Sequence, residues 1–386
     1  MANNAMNTST DYWFTIEPYV YVNITDKYAL LYNTLDKVTI ESNKTEVILL
    51  IKDLLKEENC GVTLLSHNHY IQKDIYNFIH EVRDKYMGDI IDTNLSKGKP
   101  IQVLPYINIS NKYKDKCNFL KIENILQTLF EVSLYINHTS NITKLINYLQ
   151  TMPDNLIFNI IEDYKKNTNI DELLLFLNQK ESLKNIICSY NNITLLDPKF
   201  KNNFSYKISI NFPIDQEQWK TSIQILQKLN LPFNYIFNIT SLKDYQQAEE
   251  LINEYQIEKF QLNPVYTKDN IIFFKENIYL NKEDILSTSI SIKDFFIKQL
   301  MNTHDFGKIN IMPNGDILAN INHPVLGNID THGIFELIQK EIVEGKSWLR
   351  IRNQEPCNTC IYQWMCPSPS NYEIAIGRPN LCHVKH

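Results

Sequence analysis

Four cysteines within thirty residues, Cys357, Cys360, Cys366 and Cys382, constrain this chain more than any other feature, because the spacing C-x2-C-x5-C-x15-C brings four thiols to one place in a loop-rich segment. Four thiolates saturate one metal centre, and the spacing predicts an iron-sulfur cluster of the [4Fe-4S] type held by all four. The other cysteines, Cys60, Cys117 and Cys188, stand alone in apolar surroundings such as Asn185-Ile-Ile-Cys-Ser-Tyr190. Isolated cysteines of that kind pack as small buried hydrophobes, so they are expected in the core.

Zinc is the alternative occupant, since a C-x2-C knuckle also nucleates zinc sites. Zinc ribbons supply two such knuckles; this segment supplies one, followed by a longer step to Cys366-Pro367, the kind of cysteine-proline pair that closes a ferredoxin cluster run. Pairing as two disulfides is the third possibility. The segment Met1-Ala-Asn-Asn-Ala-Met-Asn7 lacks a basic region and an apolar stretch, so a reducing cytoplasm is expected, and it disfavours disulfides. No apolar run is long enough for a membrane span.

The 386 residues suffice for two or three domains. Arginine occurs only at Arg83, Arg350, Arg352 and Arg378 amid abundant Asn, Ile, Lys and Tyr, which reads as AT-rich codon usage. A net charge of -6 without basic clusters argues against nucleic acid as a partner. No glycine lies between Gly98 and Gly307. Close backbone approach to a nucleotide needs glycine, so the middle of the chain lacks a recognisable nucleotide cradle. Nor is there a G-x-S-x-G, an H-E-x-x-H or a phosphate loop to support a hydrolase or transferase.

Residues 11 to 95 read as strands followed by helices. Tyr19 to Ile24, Tyr28 to Tyr32 and Lys37 to Ile40 are expected strands, and Gly61 to Leu65 a further strand or a turn. Asn43 with Glu46 suggests a capping box before a helix bearing Val47, Leu50, Ile51, Leu54 and Leu55. A second helix is expected from Tyr70 to Met87, with Ile71, Ile75, Phe78, Ile79 and Val82 on one face and Gly88 as its C-cap. The mixed signs of Lys73, Asp74, Glu81, Arg83, Asp84 and Lys85 disfavour a DNA-facing helix. From about 100 to 290, apolar strands at 130–136, 155–161, 206–212, 235–239 and 260–264 alternate with helices, the pattern of a parallel α/β sheet, either doubly wound or a partial barrel. Pro313 to Asp316 and Gly327-Asn328 are expected as turns of a small β unit.

Three resemblances follow from these residues. The strands-then-helices order of residues 1–96 resembles the RiPP recognition element, a winged-helix-like module that binds precursor-peptide leaders. Ile309 to Asn320, Leu326-Gly-Asn-Ile329, Ser347-Trp-Leu-Arg350 and the cysteine run resemble a SPASM domain over residues 301–386. That domain is the auxiliary-cluster extension of radical SAM peptide-modifying enzymes. Full SPASM domains hold two clusters. Here Asn320 and Ser370 stand where ligands of the inner one are expected, and the resemblance implies only the outer cluster, on Cys357, Cys360, Cys366 and Cys382. The region 97–300 then resembles a degenerate radical-SAM-type, partial TIM-like α/β barrel. The C-x3-C-x2-C loop expected after its first strand is missing: Val132 to Ile136 runs into Asn137-His-Thr-Ser-Asn141, where His138 reads as a loop residue.

As a whole the chain is similar to the pseudo-radical-SAM proteins that accompany an active maturase in Bacteroidales systems for glycine-glycine precursor peptides, most of all in Cys366 to Glu373 and Gly377 to His383. The resemblance implies a cytoplasmic pseudoenzyme that binds no S-adenosylmethionine and partners a radical SAM maturase, its precursor peptide, or both. A leader peptide would add to the strand edge at Val38, Thr39 and Ile40. The alternative role is electron transfer to or from the maturase through the cluster.

Overall fold

The computed structural model describes residues 10–104, 122–162, 170–195, 203–229 and 233–384. Strands β1 (Tyr12–Ile16), β5 (Val62–Leu65) and β6 (Gly88–Asp92) form one antiparallel sheet in the order β5-β1-β6. Strands β2 (Val20–Ile24), β3 (Ala29–Asn33) and β4 (Thr39–Ser42) form a separate antiparallel meander. Helices Thr45–Leu54 and Lys73–Asp84 cover both, burying Val47, Leu50, Ile51 and Leu54 from one and Ile75, Phe78, Ile79 and Val82 from the other.

Several local expectations are corrected here. The first helix begins after Lys44 without a side-chain cap, so the Asn43–Glu46 box does not form. The second is preceded by a separate turn of helix, His67–Tyr70, which leaves Ile71 exposed. Gly88 opens β6 instead of ending that helix, because the left-handed position after the helix is taken by Tyr86 (φ 53°), with the Met87 N–H returning to the Val82 carbonyl at 2.8 Å. Cys188 is buried as expected, whereas Cys60 is exposed at a left-handed position (φ 48°); Cys117 lies outside the described residues.

All five residues of β3 are buried, because the meander is covered on both faces. Val20, Val22, Leu31 and Ile40 pack toward the N-terminal helices. Tyr21, Leu30 and Tyr32 pack instead against Ile285, Phe295, Ile351, Cys360 and Trp364. The Tyr21 and Phe295 rings stack with centroids 3.7 Å apart and planes within 7°. Asn23 Nδ2 donates to the Ile361 carbonyl at 2.8 Å, and Lys282 reaches Glu41 at 2.7 Å.

The central sheet runs β12-β11-β10-β9-β8-β7-β13-β14-β15. Its parallel strands are β7 (Glu131–Ile136), β8 (Ile157–Glu162), β9 (Lys184–Ser189), β10 (Ser205–Asn211), β11 (Phe233–Ile239) and β12 (Phe260–Pro264). They follow one another in chain order without reversal, which removes the doubly wound alternative, whose strand order turns back at a switch point. β13 (Lys308–Ile311) pairs parallel to β7, then β14 (Asp316–Leu318) and β15 (Gly327–Asn328) complete an antiparallel edge. Pro313 to Asp316 forms the β13–β14 turn with Gly315 at φ 85°. Gly327-Asn328 lies in a short strand and is not the turn expected there.

The two faces of this sheet differ chemically. Val132, Leu134, Phe158, Ile160, Ile186, Cys188, Tyr206, Ile208, Tyr235 and Phe237 point into the main core. The register places Glu131, Ser133, Asn159, Asn185, Ser209, Asn238 and Asn263 on the other face. There, side-chain amides bridge neighbouring strands: Asn185 to Asn159 at 2.8 Å, Asn159 to Glu131 at 2.9 Å, Asn263 to Asn238 at 2.7 Å and Asn238 to Ser209 at 2.9 Å. A parallel sheet is ordinarily apolar on both sides, so this face is built for polar contacts.

Candidate metal centre

The cysteine segment is a chain of tight turns. Cys357 opens a single 3-10 turn, Cys357–Thr359, in which the Cys360 N–H donates to the Cys357 carbonyl at 3.1 Å. The Met365 and Cys366 N–H groups both return to the Tyr362 carbonyl, at 2.9 and 3.1 Å. Backbone hydrogen bonding is thus local, and the segment has little regular structure with which to bury a core. Cys382 arrives separately: Leu280 and Cys382 form an isolated bridge, with Leu280 N–H to the Leu381 carbonyl at 3.0 Å and His383 N–H to the Leu280 carbonyl at 2.9 Å.

These arrangements place Cys357, Cys360, Cys366 and Cys382 around one small cavity, closed by Leu280, Ile285, Leu381 and Val384. Burial pushes the Cys360 thiol up to about 11 and the Cys366 thiol up to about 12, and it raises Cys382 as well. Protonated thiols are poor ligands, so a metal held here would have to displace these protons, and its binding would supply stabilisation that the turns lack. Four thiols in an apolar shell fit a four-thiolate centre.

Arg352 contributes charge to the same cavity, its Nη1 lying 3.9 Å from Cys357 Sγ. Lys298 Nζ donates to the carbonyl of Met365, next to Cys366, at 3.0 Å. Both residues, with Asn23, escape motif reading. One signal for Arg352 was available: three of the four arginines in a lysine-rich chain fall at 350, 352 and 378.

Asn320 and Ser370 sit in a different environment. Asn320 is buried, donates to Asp305 Oδ2 at 3.0 Å and to Asn371 Oδ1, and accepts from Asn322 N–H at 2.9 Å. Arg350 Nη2 donates to the carbonyls of Pro369 and Ser370 at 3.0 and 2.9 Å. Ser370 caps helix Asn371–Ile376 with Glu373 in a capping box. A connected polar network occupies this region.

At the proposed peptide edge, β3 is the one neighbour of β4 among the described residues. The Asn33 N–H donates to the Val38 carbonyl, so by the antiparallel alternation Val38 and Ile40 bond toward β3, while the backbone groups of Thr39 and Glu41 face outward. Lys85 Nζ holds the Thr39 carbonyl at 2.9 Å. The Ile40 side chain is buried in the N-terminal core and Val38 packs against it, so this edge offers backbone and not those two side chains. The end of β4 opens into a groove of about 990 Å³ lined by Thr25, Glu41, Lys282, Thr359, Cys360 and Val384, among others. His138 is exposed in the loop after β7.

No protein-family model and no curated protein matches the chain. Solved structures similar to it include native anSMEcpe with bound AdoMet and Cp18Cys peptide, at 15% identity and a TM-score of 0.42 over 61% of this chain and 88% of that one. A histidine-tagged form of anSMEcpe with bound AdoMet is similar at 14% identity and a TM-score of 0.41, over 61% and 84% of the two chains. No helix among the described residues is long and apolar enough to cross a membrane.

Proposed function

We propose that this chain is a non-catalytic, radical-SAM-like partner protein that holds a precursor peptide, a radical SAM maturase, or both, with one four-cysteine iron-sulfur cluster as the staple of its C-terminal segment. The observation that carries the reading is the sharing of one core by the peptide-edge meander and the cysteine segment, through Tyr21, Leu30 and Tyr32 against Phe295 and Cys360. In this reading residues 1–96 are the recognition-element-like unit, 97–300 the degenerate barrel and 301–386 the SPASM-like unit. The sequence supports the lack of catalysis: three cysteines spaced C-x3-C-x2-C, which would leave one iron open to chelate S-adenosylmethionine, do not occur. Four ligands leave no open iron for a substrate.

The test is anaerobic purification followed by iron analysis and incubation with S-adenosylmethionine and reductant. Close to four iron atoms per chain and no 5'-deoxyadenosine are expected. Stoichiometric zinc under those conditions removes the cluster, and 5'-deoxyadenosine from pure protein removes the non-catalytic reading.

A second reading, electron transfer with the maturase, is favoured by one observation. Cys360 and Val384 line both the cysteine cavity and the broad surface groove, so the centre lies one side chain from solvent.

A further inference from the structure

We infer that Arg352, with Lys298, is the resident cationic shell of the cysteine centre and sets its charge balance, a deepening that rests on the cluster reading above. The guanidinium is buried, and each of its three nitrogens has a different task. Nη1 faces Cys357 Sγ at 3.9 Å, Nη2 pairs with Glu373 Oε1 at 2.9 Å, and Nε donates to the Pro367 carbonyl at 2.5 Å, one residue past Cys366. A lysine ammonium has no planar fork with which to serve three such directions. Codon usage sharpens the point: only four of the chain's 38 basic residues are arginine, yet one of them occupies this position. Lys298 brings a second cation to the backbone beside Cys366.

The charge arithmetic explains why cations belong there. Four thiolates around an iron-sulfur core leave the centre anionic in a largely buried site, where uncompensated charge is costly. A cation beside the sulfurs stabilises the centre and favours its more negative, reduced level over the oxidised one. Glu373 orients the guanidinium, and its own alignment comes from the Ser370 cap, so the shell is tied to helix Asn371–Ile376. Partners that orient and compensate a metal's ligands in this way typically contribute about 10- to 100-fold to metal retention.

The experiment compares anaerobically prepared wild type with Arg352→Gln/Glu373→Gln, in which no buried carboxylate is left unpaired, and with Lys298→Met. Iron release to a chelator and the midpoint potential, followed by EPR during a redox titration, are the readouts. The double variant is expected to lose iron about 10- to 100-fold faster. The potential should move to more negative values in both variants, by less in the double variant because it removes the farther Glu373 anion along with the nearer cation, a shift that a residue serving only to pack would not produce. Arg352→Lys should recover the potential more fully than the rate of iron release, because it restores charge without the fork. Unchanged release and unchanged potential in both variants would overturn the inference while leaving the cluster in place. Should the double variant not fold, an unshifted potential in Lys298→Met overturns it alone. Wild-type protein without iron overturns this inference and the cluster reading together, which separates the two failures.

Discussion

Replacing Tyr21 by phenylalanine and by alanine gives opposite expectations that test the shared core directly. Tyr21 is 2% exposed and Phe295 is fully buried, their rings in parallel contact at 3.7 Å. Truncation to alanine removes a buried ring and leaves a cavity, a change worth about 3–5 kcal/mol. Of that, about 0.5–1.5 kcal/mol belongs to the ring pair itself and is recoverable from a double-mutant cycle with Phe295→Ala. The Tyr21 hydroxyl is buried with no hydrogen-bond partner among the described residues, and burial raises its pKa far above the usual phenol range. An unsatisfied buried polar group costs about 1–3 kcal/mol, so Tyr21→Phe removes a penalty and should be neutral or stabilising. Urea unfolding gives the stabilities, and hydrogen exchange over residues 357–366 gives the coupling. The alanine variant should lose protection there although the mutation lies in the N-terminal meander. Destabilisation of Tyr21→Phe by more than about 1 kcal/mol would mean that the hydroxyl has a partner. Undiminished protection at 357–366 in Tyr21→Ala would mean that the meander does not brace the cysteine segment.

Three further outcomes are expected. Cys360→Ala should abolish iron binding and lower the melting temperature, measured by metal analysis and calorimetry; full iron content would exclude Cys360 as a ligand. Thr39→Pro should weaken binding of a leader peptide in fluorescence anisotropy while fold and iron content persist, because the Thr39 N–H faces outward and proline is tolerated at such an edge. Normal binding by a folded Thr39→Pro protein would remove the peptide site from β4. Asn320→Ala should cost about 1–3 kcal/mol by leaving buried Asp305 short of a donor, with iron content unchanged. Loss of iron in that variant would make Asn320 part of the metal site.

The alternating strands of the central sheet were legible because each carries an apolar face at period two, and Val132, Leu134 and Ile136 announce β7 at once. β9 escaped because its inward face opens with a lysine, Lys184, whose ammonium is absorbed by the carbonyls of Leu177 and Lys180. β1 and β6 escaped for another reason: their partners are distant in sequence, Tyr12 pairing with Leu65 and Asp92, and nothing local encodes that register. The four cysteines were legible because spacing alone defines a ligand set. Their shell was not, since Arg352, Lys298 and Asn23 reach the site through tertiary packing. The apolar run Ala29-Leu-Leu-Tyr32 did hold a clue, for a strand without alternation is a strand buried on both faces.

That doubly covered strand has a consequence for how the chain is made. Asn23 and the Ile361 carbonyl it holds are 338 residues apart, and among the described residues Tyr21, Leu30 and Tyr32 find their cover on residues from 280 onward. During synthesis the meander therefore emerges with one face finished against its own helices and the other bare. It stays bare until the covering residues, from 280 to 366, have been translated, and contacts so distant in sequence form late. For that interval the N-terminal unit carries an exposed aromatic surface that invites the wrong partner. The segment that carries the four cysteines is also one that covers it.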